Sequence, residues 1–326
     1  MKKIKVGVIG GAGYTAGELL RILVNHPNVE IVFVNSSSNA GNPIADVHSG
    51  LVGETDLVFT SELPFGEVDA LFLCSAHGDS KKFMDENNVP AAIKIIDLST
   101  DYREKRADHD FVYGLPELNK SAIATATRIA NPGCFATAIQ LALLPLADKG
   151  LLTDEVHVNA ITGSTGAGVK PSSTSHFSWR NNNISIYKPF EHQHLQEIGQ
   201  SIVQLQPAFD KSINFIPVRG NFARGIYVTA YTTCALSLEE EEAKSIYKEF
   251  YKDAAFTFVV DKNPDMKQVV NTNKAIVYLE KHDDKLLIVS MIDNLLKGAS
   301  GQAVQNMNLL FGLDEKTGIA LKSIGF

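Results

Sequence analysis

A run of glycines near the start of the chain constrains the fold more than any other feature of the sequence. Residues 4–9 are mostly hydrophobic, as in a buried strand, and residues 19–23 have the apolar spacing of a helix. Between them stand Gly10, Gly11, Gly13 and Gly17. A strand, a glycine turn and a helix in this order begin doubly wound α/β domains, where missing side chains let the backbone approach a phosphate group.

Further hydrophobic runs continue this pattern over the first part of the chain. They lie at residues 29–34, 70–73, 93–96 and 124–130. Most of them are hydrophobic throughout, as in parallel strands that are covered on both faces. Roughly the first 135 residues are therefore expected to form a Rossmann-type, doubly wound α/β domain.

The pattern changes after a long apolar helix predicted over residues 135–149. Beyond it, helices are expected to be scarce, and several hydrophobic runs alternate with polar residues, which is typical of strands with one solvated face. These runs lie at residues 156–161, 213–218, 226–234, 256–260, 275–279 and 286–291. We expect a second, α+β domain with a mixed, largely antiparallel sheet, in which the polar segment 163–183 is a long functional loop.

Charge and cysteine content exclude several classes of partner. The 326 residues include 30 basic and 37 acidic side chains, for a net charge of −7. No overall positive field is therefore available to hold a nucleic acid or an anionic membrane surface. The sequence has no run of 18 apolar residues, and its three scattered cysteines are too few for a disulfide framework. We expect a cytoplasmic protein that acts on a small molecule.

The glycine turn and the end of the second strand predict the cofactor. Backbone N–H groups at the start of a helix bind the pyrophosphate of a dinucleotide. The candidate residues are Gly10, Gly11, Gly13, Tyr14, Thr15 and Ala16. Ser36, Ser37 and Ser38 follow the second strand and no carboxylate does, so a ribose 2′-phosphate would meet donors and NADP(H) is favoured over NAD. The alternative for the glycines is a tight turn with a purely structural role.

Two further residues of this region have alternative interpretations. His77 follows the strand at 70–73, at the sheet edge where open α/β folds bind ligands. It is either part of the nicotinamide pocket or a cap. Cys74, at the end of the same strand, is more typical of a core or pocket-lining cysteine than of a catalytic one.

Cys134 is the predicted nucleophile. It follows the turn at 131–133 and stands in the first turn of the helix predicted next, where unpaired N–H groups and the helix dipole stabilise a thiolate. Cys234 lies inside an apolar strand and is predicted to be a core residue. A thiolate combined with a nicotinamide predicts capture of an activated acyl group as a thioester, which accepts a hydride where a free carboxylate does not.

Such a reaction needs a proton donor, and the segment 192–197 offers one. It contains His192, His194 and Glu197. If a helix begins at His194, Glu197 lies one turn further on and can orient that ring. One of the two histidines is therefore the predicted acid–base group, the alternative being a solvated polar turn. Zinc would also suit these side chains, but no third clear ligand stands at metal spacing, so we expect no metal.

Eight short segments of the chain carry a specific family pattern. They are 10–19 (GGAGYTAGEL), 97–103 (DLSTDYR), 113–117 (YGLPE), 131–134 (NPGC), 163–168 (GSTGAG), 192–197 (HQHLQE), 224–226 (RGI) and 293–299 (DNLLKGA). Taken in order, they resemble the N-acetyl-γ-glutamyl-phosphate reductases, which have a semialdehyde-dehydrogenase-like fold. The resemblance extends over almost the whole chain, and the ordered set is far more specific than any single segment.

The resemblance implies the roles of several parts of the chain. Cys134 is expected to form the thioester, a histidine of the 192–197 segment to be the acid–base group, and NADPH to lie on the glycine turn. The C-terminal helix, residues 300–311, is expected to return to the nucleotide-binding domain. That domain then comprises 1–134 with 300–326, and the catalytic and oligomerisation domain comprises 135–299. The chains are expected to associate through the second domain as a homodimer or homotetramer.

The acyl-phosphate substrate carries a phosphate and a carboxylate, which need cations and hydrogen-bond donors. The residues expected to contact it are Arg103, Asn131, Ser164, Gly166 and Arg224, and Asn294 is expected at the cofactor. Backbone N–H groups near Cys134, with the Asn131 amide, are expected to hold the oxyanion.

Three positions depart from the family pattern and leave alternatives open. Gln196 and Ala136 stand where Pro is usual, and Lys170 stands where Arg is common; a Lys lacks the planar, bidentate fork of Arg. The expected reaction is the reduction of N-acetyl-γ-glutamyl phosphate to N-acetylglutamate 5-semialdehyde. The alternatives are the same reaction on an N-succinyl substrate, aspartate-semialdehyde dehydrogenase activity, and a non-catalytic NADP-binding regulator.

Overall fold

The computed structural model describes residues 3–325, which form two compact units. One unit contains the residues up to Pro132 together with Ala299–Ala320. The other contains Gly133–Gly298 and the residues from Leu321 onward. Within the described residues, each unit is built around its own seven-stranded sheet. Over the same part of the chain, no helix is both long enough and apolar enough to cross a bilayer.

The sheet of the first unit is parallel. Its strands are β1 (Ile4–Ile9), β2 (Val29–Asn35), β3 (Phe59–Thr60), β4 (Ala70–Leu73), β5 (Lys94–Asp97), β6 (Val112–Tyr113) and β7 (Arg128–Ala130). Their order is β3-β2-β1-β4-β5-β7-β6, and all neighbouring pairs run parallel. The chain reverses its direction of winding between β1 and β4, the point at which doubly wound folds bind ligands. The predicted Rossmann-type architecture is confirmed.

Four α-helices lie in the segments that connect these strands. They are α1 (Tyr14–Leu23), α2 (Ile44–Val47), α3 (Asp79–Glu86) and α4 (Pro116–Thr125). The prediction of a single strand over 124–130 is wrong in its first part, because α4 extends through Thr125 and only Arg128–Ala130 form β7. Pro at the first helical position and Glu117 in the first turn are helix-start signals that the hydrophobic run alone does not reveal.

The second unit has a mixed sheet. Its strands are β8 (Val156–Thr162), β9 (Ser185–Ile186), β10 (Ile213–Arg219), β11 (Ile226–Thr233), β12 (Thr257–Val259), β13 (Ala275–His282) and β14 (Lys285–Ile292). Their order is β12-β13-β14-β11-β8-β10-β9. Four of the six neighbouring pairs are antiparallel and two are parallel. The predicted mixed, largely antiparallel sheet is confirmed.

Helices are less scarce in this unit than the sequence pattern predicted. They are α5 (Cys134–Asp148), α6 (Phe177–Arg180), α7 (His194–Leu205) and α8 (Glu240–Phe250). Every residue of α5 from Phe135 to Ala147 is buried, because the helix is apolar on all sides and therefore lies in the core. The hydroxyls of Tyr247 and Tyr251 donate to carbonyl oxygens of α5 at 2.5 and 2.6 Å.

The chain returns to the first unit through a buried C-terminal helix, α9 (Gly301–Leu310). All ten of its residues are buried. The side chain of Asn306 donates to the Gly114 carbonyl oxygen at 2.8 Å and to Asn131 Oδ1 at 3.0 Å. These bonds attach α9 to the end of the parallel sheet.

Candidate active site

The nucleophile predicted from the sequence stands at the first residue of α5. Gly133 precedes it in an extended conformation, with φ −71° and ψ 152°, and caps the helix without a side-chain hydrogen bond. The Cys134 side chain is half-buried. Burial raises the pKa of the Cys74 thiol and also that of Cys234. Of the three cysteines, only Cys134 combines partial exposure with a helix start.

A buried carboxylate contacts the turn that leads to Cys134. The Gly133 N–H donates to Glu197 Oε2 at 2.9 Å, and Glu197 is only 3% exposed. Glu197 lies in the first turn of α7, which begins at His194. Its other oxygen, Oε1, is 3.8 Å from His194 Nε2. Glu197 therefore connects the His194 ring with the start of the nucleophile helix.

The two histidines of the 192–197 segment form one aromatic cluster with the residue after the nucleophile. The centroids of the His192 and His194 rings are 4.6 Å apart. The ring of Phe135 is 5.5 Å from His192 and 6.3 Å from His194, in edge-to-face geometry. Both histidines are more than nine-tenths buried, so the solvated polar turn considered as an alternative is wrong.

His192 is held as a neutral ring. Its Nδ1 accepts the His194 backbone N–H at 3.3 Å, which assigns the proton of the neutral ring to Nε2. Burial, and secondarily the charge of Lys188, lowers the pKa of His192 to about 4. At neutral pH the ring therefore carries no charge in the protein without substrate.

The segment that leads to His192 has an unusual backbone. Lys188 and Phe190 have φ values of 45° and 63°, in the left-handed region that bulky side chains rarely adopt. The Phe190 N–H donates to the Phe215 carbonyl oxygen at 2.8 Å and the Tyr187 N–H to that of Pro217 at 3.1 Å. Backbone strain that neighbouring strands maintain is typical of functional sites.

Tyr187 and Arg219 stand beside this cluster and were not predicted. The Tyr187 ring centroid is 5.8 Å from that of His192, and the Arg219 guanidinium lies 4.6 Å from the Tyr187 ring centroid. Burial, and then the negative charge of an ionised Cys134, raises the pKa of the Tyr187 phenol. The only sequence signal was an aromatic residue within a polar segment, which is too weak to identify it.

A second network in the same unit contains three of the predicted ligand-binding residues. Arg224 forms a bidentate pair with the buried Asp293, with Nε–Oδ2 3.0 Å and Nη2–Oδ1 3.1 Å. Asn294 accepts the Gly225 N–H at 2.7 Å and donates to Thr165 Oγ1 at 2.9 Å. The Ser164 N–H donates to the Phe222 carbonyl oxygen at 2.8 Å. These bonds join the loop after β8 to the start of β11 and the end of β14.

This network extends to the nucleophile and to a solvent-exposed loop. The Gly298 N–H donates to the Asp293 carbonyl oxygen at 2.9 Å, and a Cβ at position 298 would lie 2.8 Å from that of Cys134. Gly166, a predicted substrate contact, is exposed on the loop after β8. The segment at 163–183, predicted as a loop, also contains a 3-10 turn over Ser164–Ala167 and the short α6.

Arg103 and Asn131, the other predicted substrate contacts, lie in the first unit and are buried there. Arg103 Nε donates to the Asn131 carbonyl oxygen and Nη2 to that of Leu98, both at 2.9 Å. Asn131 Nδ2 donates to the Ala299 carbonyl oxygen at 3.1 Å. The side chains of Arg103 and Asn131 therefore donate to backbone carbonyl oxygens at the end of the parallel sheet.

The glycine turn has the shape of a phosphate cradle. A Cβ at Gly11 would lie 2.3 Å from Val34 Cγ1, whereas at Gly13 no protein atom would be nearer than 3.9 Å. Gly10, with φ 74°, packs against the backbone of Cys74 and Ser75 at the end of β4. α1 begins at Tyr14 without a side-chain cap, so the N–H groups of Tyr14, Thr15 and Ala16 are those of a first helical turn. This geometry fits the pyrophosphate of a dinucleotide.

The serines predicted to meet a 2′-phosphate follow β2 next to this turn. The Gly11 N–H donates to the Asn35 carbonyl oxygen at 2.8 Å. Ser36 is buried and accepts from Asn39 Nδ2 at 3.1 Å, whereas Ser37 and Ser38 are exposed. His77 is exposed after β4, and its Nδ1 accepts the Thr100 N–H at 3.2 Å.

In the part of the chain from 3 to 325, no group of three or more His, Cys, Asp and Glu side chains is placed to hold a metal ion.

Each unit of the chain matches a domain of known proteins. Residues 5–126 match the semialdehyde dehydrogenase NAD binding domain, and residues 134–294 match the semialdehyde dehydrogenase dimerisation domain. The chain is 68% identical to an N-acetyl-γ-glutamyl-phosphate reductase of Parabacteroides distasonis and 65% identical to one of Bacteroides thetaiotaomicron. Each alignment covers 99% of this chain and 100% of the relative.

Solved structures share the fold at low sequence identity. Aspartate semialdehyde dehydrogenase II of Vibrio cholerae aligns with a TM-score of 0.73 at 17% identity, over 96% of this chain and 99% of that one. The enzyme of Candida albicans, solved with NADP, aligns with a TM-score of 0.71 at 16% identity, over 94% and 98%. The resemblance noted in the sequence is thus confirmed, and the chain belongs to the semialdehyde dehydrogenase family.

Proposed function

We propose that this protein catalyses the NADPH-dependent reduction of N-acetyl-γ-glutamyl phosphate to N-acetylglutamate 5-semialdehyde and phosphate, a step of arginine biosynthesis. The observation that carries the proposal is the half-buried Cys134 at the start of α5, beside a buried cluster of two histidines and Glu197. The names of relatives that align over their whole length support the choice of substrate.

The first unit is proposed to bind the cofactor. The glycine turn and the first N–H groups of α1 would hold its pyrophosphate, and Ser36, Ser37 and Ser38 would meet the 2′-phosphate. His77 and Asn294 remain candidates for the nicotinamide end. When bound, NADPH supplies the hydride that takes the thioester to the oxidation level of the aldehyde.

Cys134 is proposed to attack the acyl carbon. A bond forms between its sulfur and that carbon, the bond from the carbon to the phosphate oxygen breaks, and phosphate leaves. The helix dipole and the first N–H groups of α5 stabilise the ionised sulfur and the oxyanion that develops. After reduction the carbon–sulfur bond breaks, and the thiolate is regenerated.

His192 is the proposed acid–base group, because the His194 ring is turned to Glu197. Without substrate the pKa of His192 is about 4, and a dianionic phosphate beside the ring would raise it, since opposite charges favour the protonated form. The proton that the thiol loses is taken up at Nδ1, which gives up the 3.3 Å bond from the His194 N–H, and Nε2 delivers its own proton to the departing phosphate. Glu197 acts as a positioning residue for His194 and for the turn at Gly133.

Arg224, Ser164 and Gly166 are proposed to meet the anionic groups of the substrate. The pair with Asp293 fixes the plane of the Arg224 guanidinium, and the side chain is 22% exposed. Arg103 and Asn131 direct donors to backbone carbonyl oxygens. We therefore propose that these two residues position the end of the parallel sheet instead of binding substrate directly.

We also propose that the chains associate through the second unit, as a dimer or a tetramer. The match of residues 134–294 to a dimerisation domain supports this proposal. Sedimentation at several concentrations tests it, and a sedimentation coefficient that stays at the monomer value would contradict it.

The proposed reaction is tested in reverse, by the phosphate-dependent formation of NADPH from N-acetylglutamate 5-semialdehyde and NADP. N-succinylglutamate and aspartate semialdehydes are assayed beside it, and the highest kcat/KM identifies the acyl group. Cys134→Ser should lower kcat at least about a thousandfold, while Cys234→Ser, the matched control, should retain full activity. A Cys134→Ser protein at near the parent rate would rule out the mechanism.

A further inference from the structure

His48 contacts the glycine turn from a segment that has no role in the proposed chemistry. It follows α2, in the chain between β2 and β3. Its Nε2 is 2.7 Å from the Gly11 carbonyl oxygen, 37 residues earlier in the sequence. A carbonyl oxygen only accepts hydrogen bonds, so Nε2 carries the proton and donates it.

The hydrogen bond determines which way the turn presents its N–H groups. In a trans peptide the C=O and the following N–H point in opposite directions. Because the Gly11 carbonyl is turned to His48, the Ala12 N–H points away from that ring. The Gly11 N–H is held on its other side by the Asn35 carbonyl oxygen at 2.8 Å. Both polar groups of Gly11 are therefore anchored, and its carbonyl oxygen is kept from repelling an anion.

The same ring explains why residue 17 is a glycine. A Cβ at position 17 would lie 2.5 Å from His48 Nδ1 and 2.8 Å from Cε1. In dinucleotide-binding turns the last glycine generally serves close packing of the helix on the sheet. Here the absent side chain makes room for an imidazole instead, and this ring lies against the first turns of α1.

The position of His48 is itself maintained by backbone bonds. Its N–H donates to the Ile44 carbonyl oxygen at 2.9 Å, and the Ile44 N–H donates to that of Leu57 at 2.9 Å. The Ile44 side chain is fully buried. The ring is thus presented to the turn by a fixed segment, with Phe59 6.2 Å away between ring centroids.

We propose that His48 is a positioning residue for the dinucleotide, which holds the glycine turn in its phosphate-binding conformation through Gly11 and Gly17. The proposal rests on the proposed function, because it assumes that this turn binds NADPH. In this role His48 does not need to contact the reacting atoms.

The first test measures NADPH affinity by the fluorescence of the bound, reduced nicotinamide. His48→Ala should raise the Kd about tenfold, since a hydrogen bond and a packed ring are lost. His48→Gln, whose amide nitrogen can reach the same carbonyl, should recover part of this loss. At saturating NADPH, kcat should stay within twofold of the parent. Val52→Ala, an exposed position in the same segment, is the matched control.

The second test uses the protein without cofactor. Amide hydrogen exchange of the peptide that covers residues 10–18 should be faster in His48→Ala than in the parent and in Val52→Ala. Gly17→Ala should raise the NADPH Kd and lower the Tm in the parent, because the new methyl group meets the imidazole. In the His48→Ala background the same change should raise the Tm, since alanine favours a helix over glycine.

The proposal is overturned if His48→Ala leaves both the Kd and the exchange of this peptide unchanged, or if Gly17→Ala is equally harmful in both backgrounds. Failure of the proposed function gives a different result. In that case the parent protein binds no NADPH, while the exchange rates and the reversal of the Tm change still decide whether His48 holds the turn.

Discussion

Two helices, one in each unit, begin with almost the same backbone geometry and differ in what stands at their N-termini. Gly13 precedes α1 with φ −81° and ψ 165°, and Gly133 precedes α5 with φ −71° and ψ 152°. Neither glycine supplies a side-chain cap. At α5 the protein provides its own acidic groups. The Glu197 carboxylate accepts the Gly133 N–H, and the thiol of Cys134 stands at the first helical residue. At α1 the first turn has no acidic residue.

The electrostatic field of a helix start thus serves two purposes in this protein. The N–H groups and the dipole of a helix start favour negative charge. Where no acidic side chain occupies the helix start, an anion from solution can bind, as proposed for the pyrophosphate on α1. At α5 the protein's own acidic groups occupy the helix start, and the same field acts on the nucleophile. Substitutions at the start of α5 should therefore change kcat, and substitutions at the start of α1 should change the affinity for the cofactor.

The largest effect is expected from the proposed acid–base group at α5. His192→Asn should lower kcat about a thousandfold, because the departing phosphate loses its proton donor. The Kd for NADPH should not change, since the first unit is untouched. His157→Asn, at a partly exposed position of β8, is the control. If the variant keeps more than a tenth of the parent kcat, His192 is not the acid–base group and another residue must have that role.

The low pKa of His192 also predicts how stability depends on pH. Its value of about 4 in the folded protein is below the ordinary 6.5. Between these two pH values the unfolded chain binds more protons, so the free energy of unfolding decreases as the pH falls, by at most about 3 kcal/mol. Urea unfolding at pH 7, 5.5 and 4 measures this change, and His192→Asn should show a shallower dependence than the parent.

The next largest effect is expected at Glu197. Glu197→Ala leaves the buried Gly133 N–H without its acceptor and should lower the free energy of unfolding by about 1–3 kcal/mol. We expect kcat to fall about a hundredfold, because the nucleophile turn and His194 both lose their support. Glu197→Gln keeps an acceptor oxygen and should restore most of the stability.

Glu242→Gln, at an exposed position of α8, is the matched control for both measurements. If Glu197→Ala melts like the parent, the bond to Gly133 does not hold the turn. If Glu197→Gln recovers stability without kcat, the charge beside His194 is the part that matters for the reaction.

Much of this architecture was readable from local sequence. The hydrophobic run at 70–73 has the same bounds as β4, and α7 begins at His194, the case in which Glu197 lies one turn further on. Both signals are local, because strand and helix patterns repeat within a few residues. The start of α1 after its glycines is local in the same way. For that reason the α1 site was predicted in more detail than the α5 site.

The contacts that complete each site are long-range and have no local signal. Glu197 reaches Gly133 across 64 residues, and His48 reaches Gly11 across 37. The two-residue strand β9 is too short to show a period, and the left-handed backbone of Phe190 is not one that its residue type favours. Tertiary packing decides these features, so sequence spacing alone could not predict them.

A smaller effect is expected at α1, where two glycines can be compared directly. Gly11→Ala places a methyl group 2.3 Å from Val34 Cγ1, so it should lower the Tm and raise the KM for NADPH about tenfold. The methyl group of Gly13→Ala makes only ordinary van der Waals contact, 3.9 Å from the Gly10 carbonyl oxygen, and should leave the Tm unchanged. If the pyrophosphate lies on Gly13, this variant still raises the KM. A Gly13→Ala protein with the parent KM would place the cofactor elsewhere.

The smallest effect is expected from the exposed Ser37, which tests the preference for NADP at the same turn. Ser37→Asp brings a carboxylate toward the 2′-phosphate and should raise the KM for NADPH about fivefold, as expected for a solvent-screened repulsion. Because the repulsion acts on that phosphate alone, the KM for NADH should not rise. Ser37→Asn, of nearly equal size but neutral, should behave like the parent. Raising the ionic strength should reduce the penalty of the Asp variant, and a penalty independent of salt would point to a steric cause instead.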